Sequence, residues 1–465
     1  MFTSITFALQ SIFCVFAFLC LLIFSYSLGD SSNSSILYFI TFLANVLVIL
    51  VLNIFKKKIN KNLNFLIVNF LFIWIIIIII GTIPLFEIYE NSSLSEIFFI
   101  STSLSTTTGL RLSDTILQDN DIFLMWHAIL QFIGANYSIL TYLLFFSLIL
   151  KKENKAFFLN KKSIIIFNLI FFLFLLVFSF LLFFINSNFI QNLTTASAIL
   201  SSGGFADLNN SILNDKFSNN NTLIFLMLLM LISLLFLPLF AYFIDRSLFK
   251  KFYRKFSRRI SFLLFIMIGL VLFVAFYGKL SFIENLFLGV SFLTTTGMLP
   301  HSFESPYFVN SYSSFVLVFI IFMIIGTFSG TSNGGLKIDK LSIIVIKITE
   351  ELNRFIFQHN LKGIEIIKKG SNQRELNSLY ALIAVGSIFT LISVLCHNII
   401  GYSVKDSFFL SISALTNTGE GIIFLSKTPI DNEKNIYFIL NFLMICGRFE
   451  NIGYLLIFAR LFKKN

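Results

Sequence analysis

Four short segments end in hydroxyl-bearing residues followed by glycine, a combination that can present uncharged oxygen atoms to a cation. A ring of backbone carbonyls can replace the hydration shell of an ion, and Ser or Thr hydroxyls can add further oxygen ligands. Glycine suits such a strand because it reaches backbone angles that aim successive carbonyls inward. The segments are EIFFISTSLSTTTGL (96–110), FIQNLTTASAILSSGGF (189–205), ENLFLGVSFLTTTGM (284–298) and DSFFLSISALTNTGE (406–420).

The glycines of these segments recur along the chain. Gly109, Gly203, Gly297 and Gly419 are separated by 94, 94 and 122 residues, and the longest interval contains a basic, polar stretch at 347–377. One segment alone would be explained as an ordinary turn at a helix end, where Thr and Gly are common. Four copies, each between two apolar runs, predict an internal repeat.

Each of these segments is too short to cross a bilayer. The apolar part covers roughly 10–14 positions, whereas a spanning helix needs about 20. Non-helical backbone at membrane depth is tolerated only where it is buried in protein or lines a water-filled path. We therefore predict four re-entrant loops around a shared axis.

The elements that position these loops are strongly apolar. Of the 465 residues, 57% are hydrophobic, 12% are charged and 63 are Phe, and the mean hydropathy is +0.89. Because a soluble domain carries about a quarter charged residues, the composition indicates a membrane protein. Ten apolar runs of spanning length lie at about 5–28, 36–55, 64–86, 123–150, 163–186, 222–245, 260–277, 313–347, 378–400 and 436–462.

The first run could be read as a secretory signal. It lacks a basic region before the apolar residues, and no small-residue cleavage site follows them. We therefore expect residues 1–28 to be retained as the first span.

The charge distribution predicts the orientation. If the N-terminus is cytoplasmic and the ten spans alternate, 27 of the 34 basic residues lie inside, six lie outside, and Arg448 lies within the last span. This asymmetry follows the positive-inside rule, so both termini are expected in the cytoplasm, and nucleic acid is not an expected partner. Fifteen of the 23 acidic residues then lie outside. They either supply ordinary polar loops or form a mouth that concentrates cations.

Residues that could support catalysis are few. The four cysteines lie in apolar stretches without a CxxC pattern, and the four histidines are scattered, so neither a disulfide framework nor a metal centre is predicted. A membrane enzyme or a solute symporter would need intramembrane carboxylates or histidines. The sequence offers His127 and His397 near span ends and Glu450 beside Arg448. We predict that the protein is not an enzyme and that the chain carries no nucleotide site.

The eighth apolar run is interrupted by GTFSGTSNGGLK (326–337). Glycine disfavours continuous helix by up to about 1 kcal/mol per position relative to Ala. Two interpretations are open: a glycine-rich face that packs against a neighbouring helix, or a broken helix whose loop enters a cavity within the membrane.

Arg448 lies inside the last run, within CGRFENIGY (446–454). A buried charge at this depth costs a few kcal/mol, so its side chain should face protein or water. It serves either as a structural ion pair between repeats or as a positive charge that hinders cations below the oxygen-lined segments.

These motifs resemble the Trk/Ktr/HKT superfamily of potassium transporters, and within it the TrkH/KtrB-type pore-forming subunits. TTTGL (106–110), SSGGF (201–205), Thr295 to Met298 and NTGEG (417–421) resemble its four degenerate filter sequences, and the resemblance covers about residues 63–465. In this family, glycine at all four positions goes with potassium, and serine at the first goes with sodium. Gly109 therefore favours potassium, and a sodium-selective or poorly selective pathway of the same fold is the alternative.

The resemblance implies a fold, which is an all-α polytopic membrane protein with a pseudo-fourfold pore. We expect two additional helices at 1–62, then helix–loop–helix repeats at 63–160, 161–258, 259–376 (with an interrupted second helix and a cytoplasmic segment) and 377–465. The sequence departs from the family pattern at Glu420, where an uncharged residue is usual, and at GANY (134–137), where two glycines are usual.

The same resemblance assigns roles to residues. The filter, where K⁺ is the transported ion, would comprise Thr107, Thr108, Gly109, Leu110, Ser201, Ser202, Gly203, Gly204, Thr295, Thr296, Gly297, Met298, Asn417, Thr418, Gly419 and Glu420. The gate would comprise Gly330, Thr331, Ser332, Asn333, Gly334, Gly335, Lys337 and Arg448.

The resemblance also implies partners. These are a second copy in a homodimer, membrane lipid, and a ring of cytosolic RCK-type subunits that bind nucleotides. The basic segments 246–259 and 337–374 are candidate contact surfaces for that ring, although topology and attraction to anionic lipid explain them as well. The expected location is the bacterial cytoplasmic (inner) membrane.

Overall fold

The structure is a computed structural model of the 465-residue chain. It describes residues 2–29, 35–55, 63–89, 92–110, 121–152, 160–205, 219–236, 240, 258–278, 280–300, 315–356, 373–419 and 434–448. Helices dominate these ranges. Two of them, α1 (Phe2–Ser27) and α2 (Ser35–Phe55), pack against each other at the start of the chain, and α1 also contacts two later helices, α5 and α6, which begin at Asp121 and Lys161.

The remaining helices follow a long–short–long order. They are α3 (Leu63–Ile88), α4 (Leu94–Ser105) and α5 (Asp121–Lys152); α6 (Lys161–Phe183), α7 (Phe189–Ser201) and α8 (Asn220–Ser233); α9 (Arg258–Tyr277), α10 (Phe282–Leu293), α11 (Val316–Ile325) and α12 (Ile338–Ile356); and α13 (Gln373–Ile400), α14 (Val404–Leu415) and α15 (Lys434–Arg448). The interruption of the eighth apolar run corresponds to residues 326–337, which are not helical.

Within the described residues, six helices are long and apolar enough to cross a membrane. These spans are Ile5–Ser27, Ser35–Ile54, Phe70–Ile88, Asp121–Leu144, Lys161–Phe183 and Leu379–Ile400. Many large apolar side chains on them are exposed, as expected where a helix faces hydrocarbon. The predicted class, an all-α polytopic membrane protein, is confirmed, whereas the repeat boundaries remain predictions.

Each short helix begins with a polar cap. Glu96 and Glu284 bond back to the backbone N–H groups of Ser93 and Ser281 at 2.8 and 3.0 Å, which closes two capping boxes. The Asn188 side chain accepts from Ile190 N and Gln191 N, and Ser403 Oγ accepts from Asp406 N at 3.1 Å. Such caps contribute about 1 kcal/mol each and fix where the helix starts.

The short helices pack in a cyclic order. Each of α4, α7, α10 and α14 contacts the helices on either side of it in the chain. Each also contacts a helix of another unit: α4 packs on α15, α7 on α5, α10 on α8, and α14 on α11. Because the first unit contacts the last, these contacts close a ring around the C-terminal ends of the four short helices.

Candidate ion-binding site

The backbone after each short helix turns in the same way. A non-glycine residue adopts a left-handed conformation, and a glycine two positions later does so again. The φ values are 51° at Thr107, 56° at Ser202, 51° at Thr295 and 51° at Asn417, then 78° at Gly109, 69° at Gly204, 72° at Gly297 and 92° at Gly419. A left-handed non-glycine residue costs roughly 1–2 kcal/mol. Four matched examples therefore indicate that the surrounding structure holds the same unfavourable turn in every segment.

Local hydrogen bonds hold this turn. Between the two left-handed positions, a backbone N–H returns to a carbonyl five residues earlier in the short helix. These bonds are Thr108 N to Ser103 O at 2.8 Å, Gly203 N to Ala198 O at 2.9 Å, Thr296 N to Ser291 O at 2.9 Å and Thr418 N to Ser413 O at 3.0 Å.

The second segment requires a correction. The sequence repeat pairs Gly203 with Gly109, Gly297 and Gly419, but the structure places Gly204 at that position by its conformation. Gly203 instead corresponds to Thr108, Thr296 and Thr418, because its N–H makes the equivalent bond to the helix. Two adjacent glycines made the alignment ambiguous, and only the backbone conformation resolves it.

The glycines allow neighbouring segments to touch. A Cβ atom on Gly109 would overlap the carbonyl oxygen of Gly203, and a Cβ on Gly204 would overlap that of Thr296. A Cβ on Gly419 would overlap the carbonyl oxygen of Thr108. The first segment thus contacts the second, the second the third, and the fourth the first. At each of these contacts, a carbonyl oxygen of one segment lies beside a glycine of its neighbour.

Most hydroxyls of the segments bond to protein rather than point away from it. Thr106 Oγ1 donates to Thr102 O at 2.6 Å, so its lone pair receives the Thr108 hydroxyl, 2.8 Å away. Matching pairs join Thr294 to Thr296 at 2.8 Å and Thr416 to Thr418 at 2.9 Å. The hydroxyls therefore brace the turn, and the backbone carbonyls, which the sequence predicts to form the ring, are the main oxygen source.

The second segment departs from this pairing. Gly203 stands where the other segments carry Thr, and Ser201 Oγ accepts from Gly203 N at 3.1 Å instead. At the far end of the first and third segments, Ser103 Oγ donates to Leu110 O at 2.7 Å and Ser291 Oγ to Met298 O at 2.8 Å. Glu420, the last residue predicted for the fourth segment, lies outside the described residues.

The non-helical stretch 326–337 lies against the C-terminal ends of the short helices, and we call it the intramembrane loop. Ser332 Oγ donates to Leu200 O at 2.9 Å, and Asn333 Nδ2 donates to Thr294 O. A Cβ on Gly334 would overlap the carbonyl oxygen of Thr416. The loop therefore contacts three of the four helix ends directly.

Gly334 N also donates to Thr295 Oγ1 at 2.8 Å, so the loop reaches the turn itself in the third segment. The predicted gate residues Thr331, Ser332 and Asn333 are all buried. Helix packing alone does not explain the polar contacts, because the loop bonds to carbonyls that helix ends leave without intrahelical partners.

Arg448 joins the loop to the remaining helix end. Its Nε donates to Thr106 O at 2.6 Å, and its Nη2 donates to the carbonyl of Thr107 at 3.3 Å and to the Thr107 hydroxyl. Its Nη1 donates to Ser332 O in the loop. The guanidinium is 4% exposed. Glu450, the residue considered for a structural ion pair, lies outside the described residues.

Lys337 closes the loop on itself. Its ammonium donates to Asn333 O and lies 3.5 Å from Thr331 Oγ1, and the side chain is buried. Gly330 and Gly335 adopt positive φ on either side of the polar tip. The carbonyl ends of four short helices carry partial negative charge. The positive charges of Lys337 and Arg448 lie in the same region and offset part of this negative charge.

Sequence reasoning placed Asn417 in the filter but did not foresee its contacts, and it assigned no role to Gly134 or Gly447. Asn417 Nδ2 bonds to Thr108 Oγ1 at 2.8 Å and to Met444 O at 2.9 Å, which ties the fourth segment to the first. Gly134 and Gly447 have no room for a Cβ, because it would overlap Ser105 O and Leu415 O. Glycine within a long apolar run was the available signal for close backbone approach.

The two histidines near span ends contact residues of the helices and segments around them. The His127 ring lies tilted against Phe205 with ring centroids 4.6 Å apart, and Tyr89 Oη lies 3.4 Å from its Nε2. His397 Nδ1 lies 3.2 Å from Ser393 Oγ. In the described part of the chain, no three His, Cys, Asp or Glu side chains are grouped to hold a metal ion.

The chain is similar in sequence and in fold to known transporters. No protein-family model matches the chain. An uncharacterized cation transporter of Methanocaldococcus jannaschii is 24% identical over 424 residues, which cover 88% of this chain and 85% of that protein. The Trk system potassium uptake protein TrkG of Escherichia coli is 25% identical over 145 residues, 30% of this chain and 28% of TrkG.

Among solved structures, the crystal structure of the potassium transporter TrkH from Vibrio parahaemolyticus matches with a TM-score of 0.78. The match covers 100% of this chain and 99% of TrkH at 18% identity, so it shows the fold. The resemblance to the Trk/Ktr/HKT superfamily seen in the sequence is thereby confirmed.

Proposed function

We propose that this chain is a Trk-type potassium transporter that takes up potassium through an oxygen-lined path between its four segments. The observation that carries the proposal is the contact of three of the four glycines, Gly109, Gly204 and Gly419, with a carbonyl of the adjacent segment. Because glycine has no side chain, neighbouring segments come close enough for uncharged carbonyl oxygens from separate segments to surround one ion. The names of TrkG, TrkH and the archaeal relative, which describe transporters, support the same function.

Potassium is the proposed ion because the site offers neutral oxygens rather than charged ligands. Small or divalent cations hold their water tightly and favour carboxylates, whereas potassium exchanges its water for carbonyls at low cost. A sodium-selective pathway of the same fold is the second candidate. Gly109 at the first position favours potassium by the family pattern. Flux measured under separate potassium and sodium gradients distinguishes the two.

The intramembrane loop and Arg448 form the proposed gate. Both occupy the region that an ion enters after it leaves the segments on the side of the helix C-termini. The positive guanidinium opposes a cation there, and its bond to Ser332 O holds the loop beneath the first segment. Opening requires that the bonds from the loop to Leu200, Thr294 and Thr295 break together.

We further propose the assembly that the family resemblance implies. The chain forms a homodimer in the cytoplasmic (inner) membrane with both termini in the cytoplasm, and a cytosolic RCK-type ring that binds nucleotide controls the gate. In this arrangement α12, which follows the intramembrane loop directly, carries the movement of the ring to the gate. The chain itself performs no enzymatic step.

Potassium-limited growth tests the proposed function. Expression in a bacterium that lacks its own potassium uptake systems, with and without a co-expressed RCK-type subunit, should restore growth on low potassium. A chain that inserts in the membrane yet restores neither growth nor potassium flux in vesicles would contradict the proposal. If growth is restored equally without the regulatory subunit, only the proposed regulation of the gate by that subunit is contradicted.

A further inference from the structure

A cavity of about 740 Å³ lies between α11, α13, α14 and α15, beside the proposed gate. Its inner end is lined by Gly335 and Leu336 of the intramembrane loop, by Thr416 at the end of the fourth short helix, and by Gly447, which precedes Arg448. The volume falls in the range of roughly 300–1,000 Å³ that is typical of pockets for one small molecule.

The cavity lining is apolar, and the hydroxyl groups of α13 in it are already hydrogen-bonded within their own helix. Among the residues that the structure describes, the cavity is lined by no charged side chain. Two hydroxyl residues on α13 face this region, but Ser387 Oγ donates to Ala384 O at 2.9 Å and Thr390 Oγ1 donates to Ser387 O at 2.8 Å. Because their protons are used within the helix, the occupant gains no donor from them. A polar ligand would lose its hydration without replacement.

The cavity opens onto the lipid-facing surface of the protein. Val385, Leu391 and Phe442 line it and are 46%, 59% and 48% exposed, and the first two lie on the span Leu379–Ile400. A helix of a second copy, about 10 Å across, would fill this volume over less than two turns. A flexible hydrocarbon chain from the surrounding bilayer matches both the opening to the lipid and the apolar, glycine-containing lining.

We propose that this cavity binds one acyl chain of a membrane phospholipid, which packs against the Gly335–Leu336 end of the intramembrane loop. Leu336 N donates to Ile324 O at 2.7 Å, so this end of the loop is fastened to α11. Gly334, the next residue toward the tip, lies against Thr416 O. A bound chain fills the space into which Leu336 would move if Gly334 withdrew. The consequence for gating rests on the proposed function, whereas lipid binding does not.

Gly386 provides the decisive substitution. A Cβ at this position meets only Leu415 Cδ2 at 3.8 Å, so Gly386→Leu extends into the cavity without displacing backbone. The matched control is Gly269→Leu on α9, where a Cβ has no atom within 4 Å and which does not line the cavity. Thr390→Leu is a second cavity variant in case Gly386→Leu yields no folded protein.

The probe is a phosphatidylglycerol that carries a photoreactive diazirine in one acyl chain, incorporated with the full-length protein in nanodiscs, and labelled residues are mapped by mass spectrometry. We expect labels at Leu391 and Phe442 in the wild type and in Gly269→Leu. Labelling should fall about tenfold, equivalent to about 1.4 kcal/mol, in the cavity variants.

Equal labelling in all variants, or labels confined to other lipid-facing helices, would overturn the proposal. So would disulfide-linked dimers through Val385→Cys with no label in the cavity, because a second copy would then cover the opening. The labelling needs no ion flux. A protein that shows cavity labelling but no potassium flux would contradict the pore and leave the lipid site standing.

Discussion

The four oxygen-lined segments and the intramembrane loop are both non-helical backbone buried in a membrane protein, but different bonds hold them. In the segments, the bonds that shape each turn are local: Thr108 N returns five residues to Ser103 O, and the Thr106–Thr108 hydroxyl pair braces the same turn. In the loop, the bonds that hold it against the helix ends are long-range, as from Ser332 to Leu200 and from Arg448 to Ser332.

This difference separates a fixed element from a movable one. A local bond forms whenever its own helix end is folded, so the segments keep their shape as the rest of the protein moves. The partners of the loop's long-range bonds belong to stable helices. Each of these bonds can therefore be exchanged for a bond to water without unfolding a helix. The segments are therefore suited to select an ion, and the loop is suited to move.

The strongest way to break the fixed element is Gly204→Ala. The substitution forces a side chain into a left-handed conformation and against Thr296 O, and we expect loss of potassium flux by at least tenfold, more than about 1.4 kcal/mol. Gly203→Ala is the control, because there a Cβ meets side-chain atoms of Gln131 and Ser201 at 3.0 Å and the backbone is not left-handed. Greater damage from Gly203→Ala in vesicle flux would reverse the assignment of the filter glycine.

Arg448→Ala tests the link between the two elements. If the guanidinium is a gate, potassium flux should rise or lose its dependence on the regulatory subunit. If it is a structural brace, the stability of the fold should fall by about 3–5 kcal/mol, and protein yield and flux should fall together. Thermal unfolding measures the stability of the fold, and flux into vesicles measures potassium transport.

Arg448→Lys sharpens that result. Lysine keeps a positive charge but cannot bond to Thr106, Thr107 and Ser332 at once, because it lacks the planar guanidinium. Retained gating in Lys with leak in Ala supports charge as the cause. Leak in both variants, with normal folding, would show that the bonds to the loop close the gate.

Gly109→Ser tests selectivity without removing the gate. The added side chain presses on the carbonyl of Gly203, so one contact of the oxygen ring changes while the loop and Arg448 are untouched. We expect potassium-over-sodium discrimination to drop several-fold, which corresponds to about 1 kcal/mol of lost preference. Competition of sodium with potassium flux measures it, and unchanged selectivity with intact insertion would contradict the assignment.

The smallest effect is expected from Ser332→Ala in the loop. It removes one hydrogen bond, to Leu200 O, worth about 0.5–1.5 kcal/mol, and basal flux should rise by about two- to tenfold. Ser342→Ala is the matched control, because that buried hydroxyl bonds locally to Asp339 O in α12. If the Ser332→Ala protein is stable and its basal flux does not exceed that of the control, the result favours a passive packing role for the loop. Replacing residues 330–333 by alanine should enlarge the same leak.

The sequence alone determined much of the architecture, because its causes are local or compositional. Hydrophobic runs report the membrane environment directly, and the hydroxyl–glycine ending of the four segments reports a tight turn at a short helix end. The interruption at 326–337 was visible for the same reason, since glycine and polar residues oppose helix wherever they occur.

Only the tertiary structure decided which atoms meet. Gly204 rather than Gly203 faces the neighbouring carbonyl because the backbone of that turn, not the motif, sets the register. Arg448 bonds to Thr106, 342 residues away, and Asn417 to Thr108, 309 residues away. The acyl-chain cavity likewise exists only where four helices come together. Such contacts depend on the closure of the ring by its first and last units, which no local pattern of residues encodes.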